Sequence, residues 1–160
     1  MAKYVSEKIK MKTAARLAAV QATYMIAYSQ APVDEVVNEF KNGEVGRYVI
    51  EDENNTEEFK EVEPMDKAYF EKLVRGVHAK KEELEKSLNL FLLEGRSLEN
   101  LDGTFQALLL CAIYEISNTL DVDAKVIIQE YVDLAYAFFT KGEPKMVNAL
   151  LDQIAKEVRA

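Results

Sequence analysis

Between Asp102 and Asp152, three apolar helical patterns follow one another with almost no spacer. The first sets Phe105, Leu108, Leu109, Ala112, Ile113, Ile116 and Leu120 at offsets 0, 3, 4, 7, 8, 11 and 15, a wide stripe on one helix face. The second runs from Asp123 to about Phe139 and carries Val126, Ile127, Glu130, Leu134 and Phe138. The third runs from about Lys145 to Val158, with Val147, Leu150, Leu151, Ile154 and Val158 at 0, 3, 4, 7 and 11. Connections this short make neighbouring helices pack on each other, so the expected fold is an all-α bundle on which the earlier residues pack. Asp102 and Asp123 suit N-caps, Asp121-Val122-Asp123 makes a tight turn, and Gly142 and Pro144 separate the last two helices.

The first half reads as further helices. One is expected from about Lys8 or Thr13 to Ser29, with Leu17, Val20, Tyr24 and Tyr28 in register. Its many alanines (Ala14, Ala15, Ala18, Ala19, Ala22) raise helix propensity and let a neighbour approach closely. Pro32 suits the first position of a second helix, with Asp34 and Glu35 in its first turn and Val33, Val36, Val37 and Phe40 on its apolar face. Gly43 is its stop. Pro64 and Asp66 start a third, whose apolar face is Tyr69, Phe70, Leu73, Val74 and Val77. Gly76 inside it points to a close helix crossing. That pattern either continues to Leu84, Leu88 and Phe91 or breaks near His78. Gly95 ends this half, and Ser97 to Leu101 is a short connection or single turn. The count is about six or seven helices.

Between them, residues 42–63 lose all periodicity. Eight acids (Glu44, Glu51, Asp52, Glu53, Glu57, Glu58, Glu61, Glu63) stand against Arg47 and Lys60, with turn chemistry at Gly46 and Asn54-Asn55. We expect an exposed, mobile acidic loop. Arg47–Ile50 is the longest strand signal, and the acids lack the spacing of a calcium loop.

A chain of 160 residues, 49% apolar, is most simply one domain and is not expected to be disordered. No apolar run approaches the roughly 18 residues of a membrane span, and the N-terminus shows no signal-peptide pattern. Cys111 is the sole cysteine, so no internal disulfide forms, which fits a reducing cytosol. On the flank of the apolar stripe it reads as a buried, inert thiol. The net charge of -8 argues against binding nucleic acid by bulk charge. Residues 1–16 nevertheless carry Lys3, Lys8, Lys10, Lys12 and Arg16 against Glu7, a local +4 that leaves -12 for the rest. Lys8, Lys12 and Arg16 are spaced i, i+4, i+8 and form one basic ridge if helical.

No catalytic constellation is present. One histidine, His78, and one cysteine exclude the usual zinc frameworks. No GxxxxGK[ST], GxGxxG or GxSxG motif occurs. His78, late in an amphipathic helix, is expected at a surface or interface. Neither an enzyme nor a metal site is expected.

Several segments resemble the NusB family of bacterial transcription antitermination factors. Ala112–Ile116 (AIYEI) matches the family's A-x-YEL, and Asp121–Ala135 (DVDAKVIIQEYVDLA) matches DVP-x-KVAINEAVELA. Lys145–Asp152 (KMVNALLD) matches K-F-VNGVLD, Arg16–Tyr24 (RLAAVQATY) matches R-x-x-AVQALY, and Phe70–Val77 (FEKLVRGV) matches F-x-x-LVxGV. The resemblance implies a NusB-like helical bundle in two subdomains, here 1–96 and 97–160, with no cofactor and no catalysis. It implies a cytoplasmic protein that binds boxA RNA of rRNA leader transcripts with the NusE ribosomal protein. The complex joins RNA polymerase, with other Nus factors, and keeps elongation processive.

Carried onto this chain, the family's RNA-binding positions are Arg16, Tyr24 and the turn Phe138 to Met146. Phe138, Phe139, Lys141, Lys145 and Met146 belong to that turn, and Lys8, Lys10 and Lys12 lie where the family's arginine-rich start would be. Rings that stack on unpaired bases and cations that meet phosphates are what single-stranded RNA requires. The chain departs from the pattern in its thinned arginines, in Met146 for phenylalanine, in Ala149 for glycine, in Gln129-Glu130 for NE, and in Leu110 for a common arginine. Weaker RNA binding alone and more dependence on the partner are expected. An exposed edge at Phe105, Gln106, Leu109 and Glu115 is the expected partner surface. Two other functions fit: a NusB-like domain akin to that of rRNA cytosine methyltransferases, and a protein-interaction module without RNA affinity.

Overall fold

The computed structural model describes residues 6–43, 48–51, 57–60, 64–92, 97–139 and 142–159. Among them are seven α-helices: α1 (Glu7–Ser29), α2 (Val33–Lys41), α3 (Lys67–Ala79), α4 (Lys81–Phe91), α5 (Gly103–Asn118), α6 (Ala124–Phe138) and α7 (Glu143–Val158). A 3-10 turn covers Leu98–Asn100, and two short strands, β1 (Tyr48–Glu51) and β2 (Glu57–Lys60), lie between α2 and α3.

Side-chain caps set most helix starts. Ser6 accepts from the Ile9 amide at 3.2 Å, which starts α1 ahead of its alanine run. Asp66 caps α3 through the Tyr69 amide (3.0 Å) and Asp123 caps α6 through the Lys125 amide (2.9 Å). Asp102 accepts from both Thr104 and Phe105 at the start of α5. Pro32 is the N-cap of α2, one position earlier than its sequence suggests. The apolar pattern after Tyr69 does break: Lys80 leaves helical geometry and divides α3 from α4.

Two expectations need correction. The acidic segment 42–63 is not all loop, since β1 and β2 pair antiparallel with Val49 opposite Phe59 and Ile50 opposite Glu58. Tyr48-Val49-Ile50 and Phe59 carry enough β propensity for a short ladder, and the surrounding acids hide it in the sequence. The rest of the segment after Gly43 and before Pro64 lies outside the described residues. Leu120 does not continue the α5 stripe: the helix ends at Asn118, and Leu120 is 68% exposed.

α5 is the central helix and packs against α1, α3, α4, α6 and α7. Its Leu108, Leu109, Ile113 and Ile116 are fully buried, on the order of 2 kcal/mol of hydrophobic stabilisation each. α6 and α7 pack on each other as a hairpin beside it. α3 crosses α5 so closely at Gly76 that a Cβ there would overlap the Tyr114 ring. Arg159, just past α7, donates to the carbonyls of Ile116 (3.0 Å), Thr119 (2.9 Å) and Val122 (2.7 Å), satisfying orphan acceptors where α5 turns into α6. Among the described residues no helix is long and apolar enough to cross a membrane.

Candidate nucleic-acid interface

The two faces of α1 have opposite fates. Ala15, Ala18, Ala19 and Ala22 are buried, and their small side chains let α3 and α5 approach from either side. At 3.6 residues per turn, Lys8, Lys12 and Arg16 lie on or beside this buried face rather than on a solvent ridge. Lys8 stays exposed in the first turn of α1, and Lys12 is half-buried with its ammonium 5.1 Å from the Tyr69 ring centroid. Arg16 is only 2% exposed.

Arg16 is therefore corrected from a candidate phosphate contact to a structural cation. Its Nε and Nη2 donate to Glu115 at 3.0 and 2.7 Å, and its Nη1 lies 3.0 Å from Glu130. Tyr69 and Tyr131 each donate a hydroxyl to the same Glu115 carboxylate, at 2.5 and 2.8 Å. Thr13 donates to Glu130 at 2.9 Å. The cluster ties α1, α3, α5 and α6 together at one point. Burial opposes the Arg16 charge, yet its bonds and attraction to Glu115 prevail, and the guanidinium holds its proton more tightly than usual. Burial and then the bond to Glu115 push the Tyr69 hydroxyl up, and burial beside Glu115 does the same to Tyr131. A carboxylate inside the apolar run LLLCAIYEI must find such partners if it is buried, and that is the sequence signal that marks it.

Glu115 is thus no partner-surface residue, and neither are Phe105 and Leu109, which are buried. α5 is central and leaves no wide exposed edge. Of the four expected contact residues only Gln106 is half-exposed, and its amide donates to the Leu101 carbonyl at 2.7 Å. Cys111 is buried, and burial pushes its thiol up to about 12, so it is inert.

Of the remaining candidates, Tyr24 and Phe139, with Phe138 beside it, flank the first turn of α5, while Lys10 lies about four helical turns from Tyr24 along α1. Lys10 and Tyr28, eighteen residues and about five turns apart, share the outer face of α1 with Gln21 and Tyr24. Tyr24 and Tyr28 stack with centroids 5.3 Å apart, and Tyr28 is 79% exposed. Tyr24 lies against Gly103, where a Cβ would meet its ring at 2.7 Å. On the other side of the same turn, Phe105 meets Phe139 with centroids 5.3 Å apart, and Phe139 meets Phe138 at 6.2 Å. Phe139 and Met146 line a groove of about 740 Å³ with Phe91, Phe105 and Glu143. Lys145 is exposed in the first turn of α7. Lys141 lies outside the described residues. Tyr28 was not singled out for RNA, because its exposure and its stacking on Tyr24 depend on how α1 packs.

Comparison with known proteins agrees with this architecture. The family model described as "NusB family" matches residues 13–156. The transcription antitermination protein NusB of Novosphingobium aromaticivorans is 39% identical over 94% of this chain and 96% of its own length. That of Sphingopyxis alaskensis is 36% identical over 97% and 99%. Among solved structures, T. maritima NusB superposes with a TM-score of 0.71 at 23% identity, covering 91% of this chain and 90% of that one. A complex of antitermination factors NusB and NusE with dsRNA superposes with a TM-score of 0.66 at 21% identity, covering 93% and 98%. In fold and in sequence across nearly its whole length, this chain belongs to the NusB family.

Proposed function

We propose that this chain is a transcription antitermination factor. It binds boxA-type single-stranded RNA of rRNA leader transcripts together with the NusE ribosomal protein. The complex joins elongating RNA polymerase with other Nus factors and keeps transcription processive. It works in the cytoplasm by binding, without catalysis or cofactor. The antitermination role rests on family membership and the name its relatives share. A solved NusB–NusE–dsRNA complex with this fold supports the pairing of an RNA with a protein partner.

The observation that carries the RNA assignment is the meeting of two sequence-distant segments. Tyr24 packs on Gly103 and Phe139 packs on Phe105, so both halves of the surface flank the first turn of α5. Tyr24, Phe138 and Phe139 supply rings, while Lys10 and Lys145 supply exposed cations at the margins. Rings favour unpaired bases over duplex, because a paired base offers no free face. We treat residues 1–96 and 97–160 as two helical subdomains of one domain, with α5 of the second packed against helices of both.

The test is the binding of boxA-type RNA and a scrambled RNA, with and without NusE, as a function of salt. The boxA RNA should be preferred, most strongly with NusE, and log K should fall by roughly 0.7 per phosphate contact for each unit of log salt. Equal affinity for both RNAs with NusE present would overturn boxA recognition, and no measurable affinity for either would reduce the chain to a protein-interaction module.

A further inference from the structure

A second groove, of about 510 Å³, lies on the other side of the first turn of α5 from Phe139. One wall is the stacked pair Tyr24 and Tyr28, and the facing wall carries His78 and Lys81 from the α3–α4 junction. Gly103 and Gln106 of α5 form part of its lining. The volume falls within the range of small-ligand sites.

Its charge sets it apart. The chain has 28 acidic residues against 20 basic ones. Among the described residues lining this groove there is no Asp or Glu. The groove beside Phe139 contains Asp102 and Glu143, and a third, between α1 and α6, contains Glu130 and Asp133. Lys81 reaches Glu85 at 3.9 Å, a loose contact one helical turn away that leaves the ammonium available. An aromatic face opposite a cation, with no carboxylate between, complements a flat π-system joined to an anion. A nucleotide is such a ligand.

We infer that this groove holds one unpaired nucleotide of the bound RNA, its base stacked on Tyr28 and its phosphate facing Lys81 and His78. The assignment rests on the RNA-binding role proposed above and adds a subsite to it. The stack continues outward from Tyr24, so an RNA following the outer face of α1 reaches Tyr28 without leaving the surface. The pocket extends recognition by one base, and the lysine adds one phosphate contact.

The experiment uses the full chain with NusE and boxA-type RNAs carrying a few native flanking nucleotides. A single abasic site is walked along each RNA, against the wild type, Tyr28→Ala and Lys81→Ala. Both side chains are at the surface, so the fold is retained, which circular dichroism checks. At one position the abasic RNA should bind wild type about tenfold more weakly. Tyr28→Ala should lose a similar factor with intact RNA and nothing more with that abasic RNA. Lys81→Ala should lower the salt dependence by about one contact. If boxA RNA is bound specifically but neither substitution changes it at any position, the inference is wrong while the RNA-binding role stands. If Tyr28→Ala instead weakens NusE binding with RNA affinity unchanged, the groove takes a protein and the inference is again wrong. Loss of boxA preference in wild type overturns both.

Discussion

Arg16 and Glu115 are the residues on which four helices depend. The guanidinium meets Glu115 and Glu130, and the Glu115 carboxylate also accepts from two tyrosine hydroxyls. Each charge is buried, so each is tolerable only with the other present. Substituting Arg16→Met removes the cation and leaves the buried Glu115 carboxylate without its charged partner. We expect a loss of about 3 kcal/mol or more of stability, read from urea unfolding. An exposed ion pair of the kind its basic-ridge spacing suggests would cost no more than about 1 kcal/mol. A result that small would contradict the burial of this side chain. Any RNA-binding defect in such a variant should track its fraction unfolded, since Arg16 does not reach the surface.

At the scale of elements, one close joint is α3 on α5 at Gly76. Gly76 has no side chain because Tyr114 fills the space where one would begin. Gly76→Ala gains helix propensity of about 1 kcal/mol but forces the buried Tyr114 ring to shift. The overlap should win, giving a net destabilisation of about 1–3 kcal/mol in thermal or urea unfolding. A stabilised Gly76→Ala would mean the helices do not cross there.

Helices of this kind were legible in the sequence where one face is apolar and the other polar. Whereas α5 is buried on nearly every side, α2, α3, α7 and the caps Asp66, Asp102 and Asp123 follow directly from spacing and cap chemistry. So does the close crossing at Gly76. The rotation of α1 does not. Its buried face is mostly alanine, and alanines also lie elsewhere around it, so the contrast between faces is weak. The i, i+4, i+8 run of Lys8, Lys12 and Arg16 therefore looks like a solvent ridge. Glu115, the partner that buries Arg16, lies 99 residues away, beyond any local pattern. The partner surface on α5 failed for a related reason. Residues at the edge of an apolar stripe are exposed only if no other helix covers them, and α5 has neighbours on many sides.

The whole molecule places the segments proposed to bind RNA, one from each end of the chain, beside each other. α1 contributes Lys10, Tyr24 and Tyr28, the α6–α7 connection contributes Phe138, Phe139 and Lys145, and the capped first turn of α5 lies between them. The core beneath runs from α1 to α7 without a break, which keeps the two halves in fixed relation. Rigid placement matters because stacking and phosphate contacts on one RNA strand add only when their spacing is preset. On the proposed reading, the net charge of -8 disfavours RNA binding by bulk charge elsewhere on the chain. The most direct measurement is amide hydrogen exchange of the chain with NusE, with and without boxA-type RNA. RNA should slow exchange in three places at once: the last two turns of α1, the first turn of α5, and the residues around Phe138, Phe139 and Lys145. Protection in one of these alone, or chiefly on the outer faces of α2 or α4, would contradict a single RNA surface built from both ends of the chain.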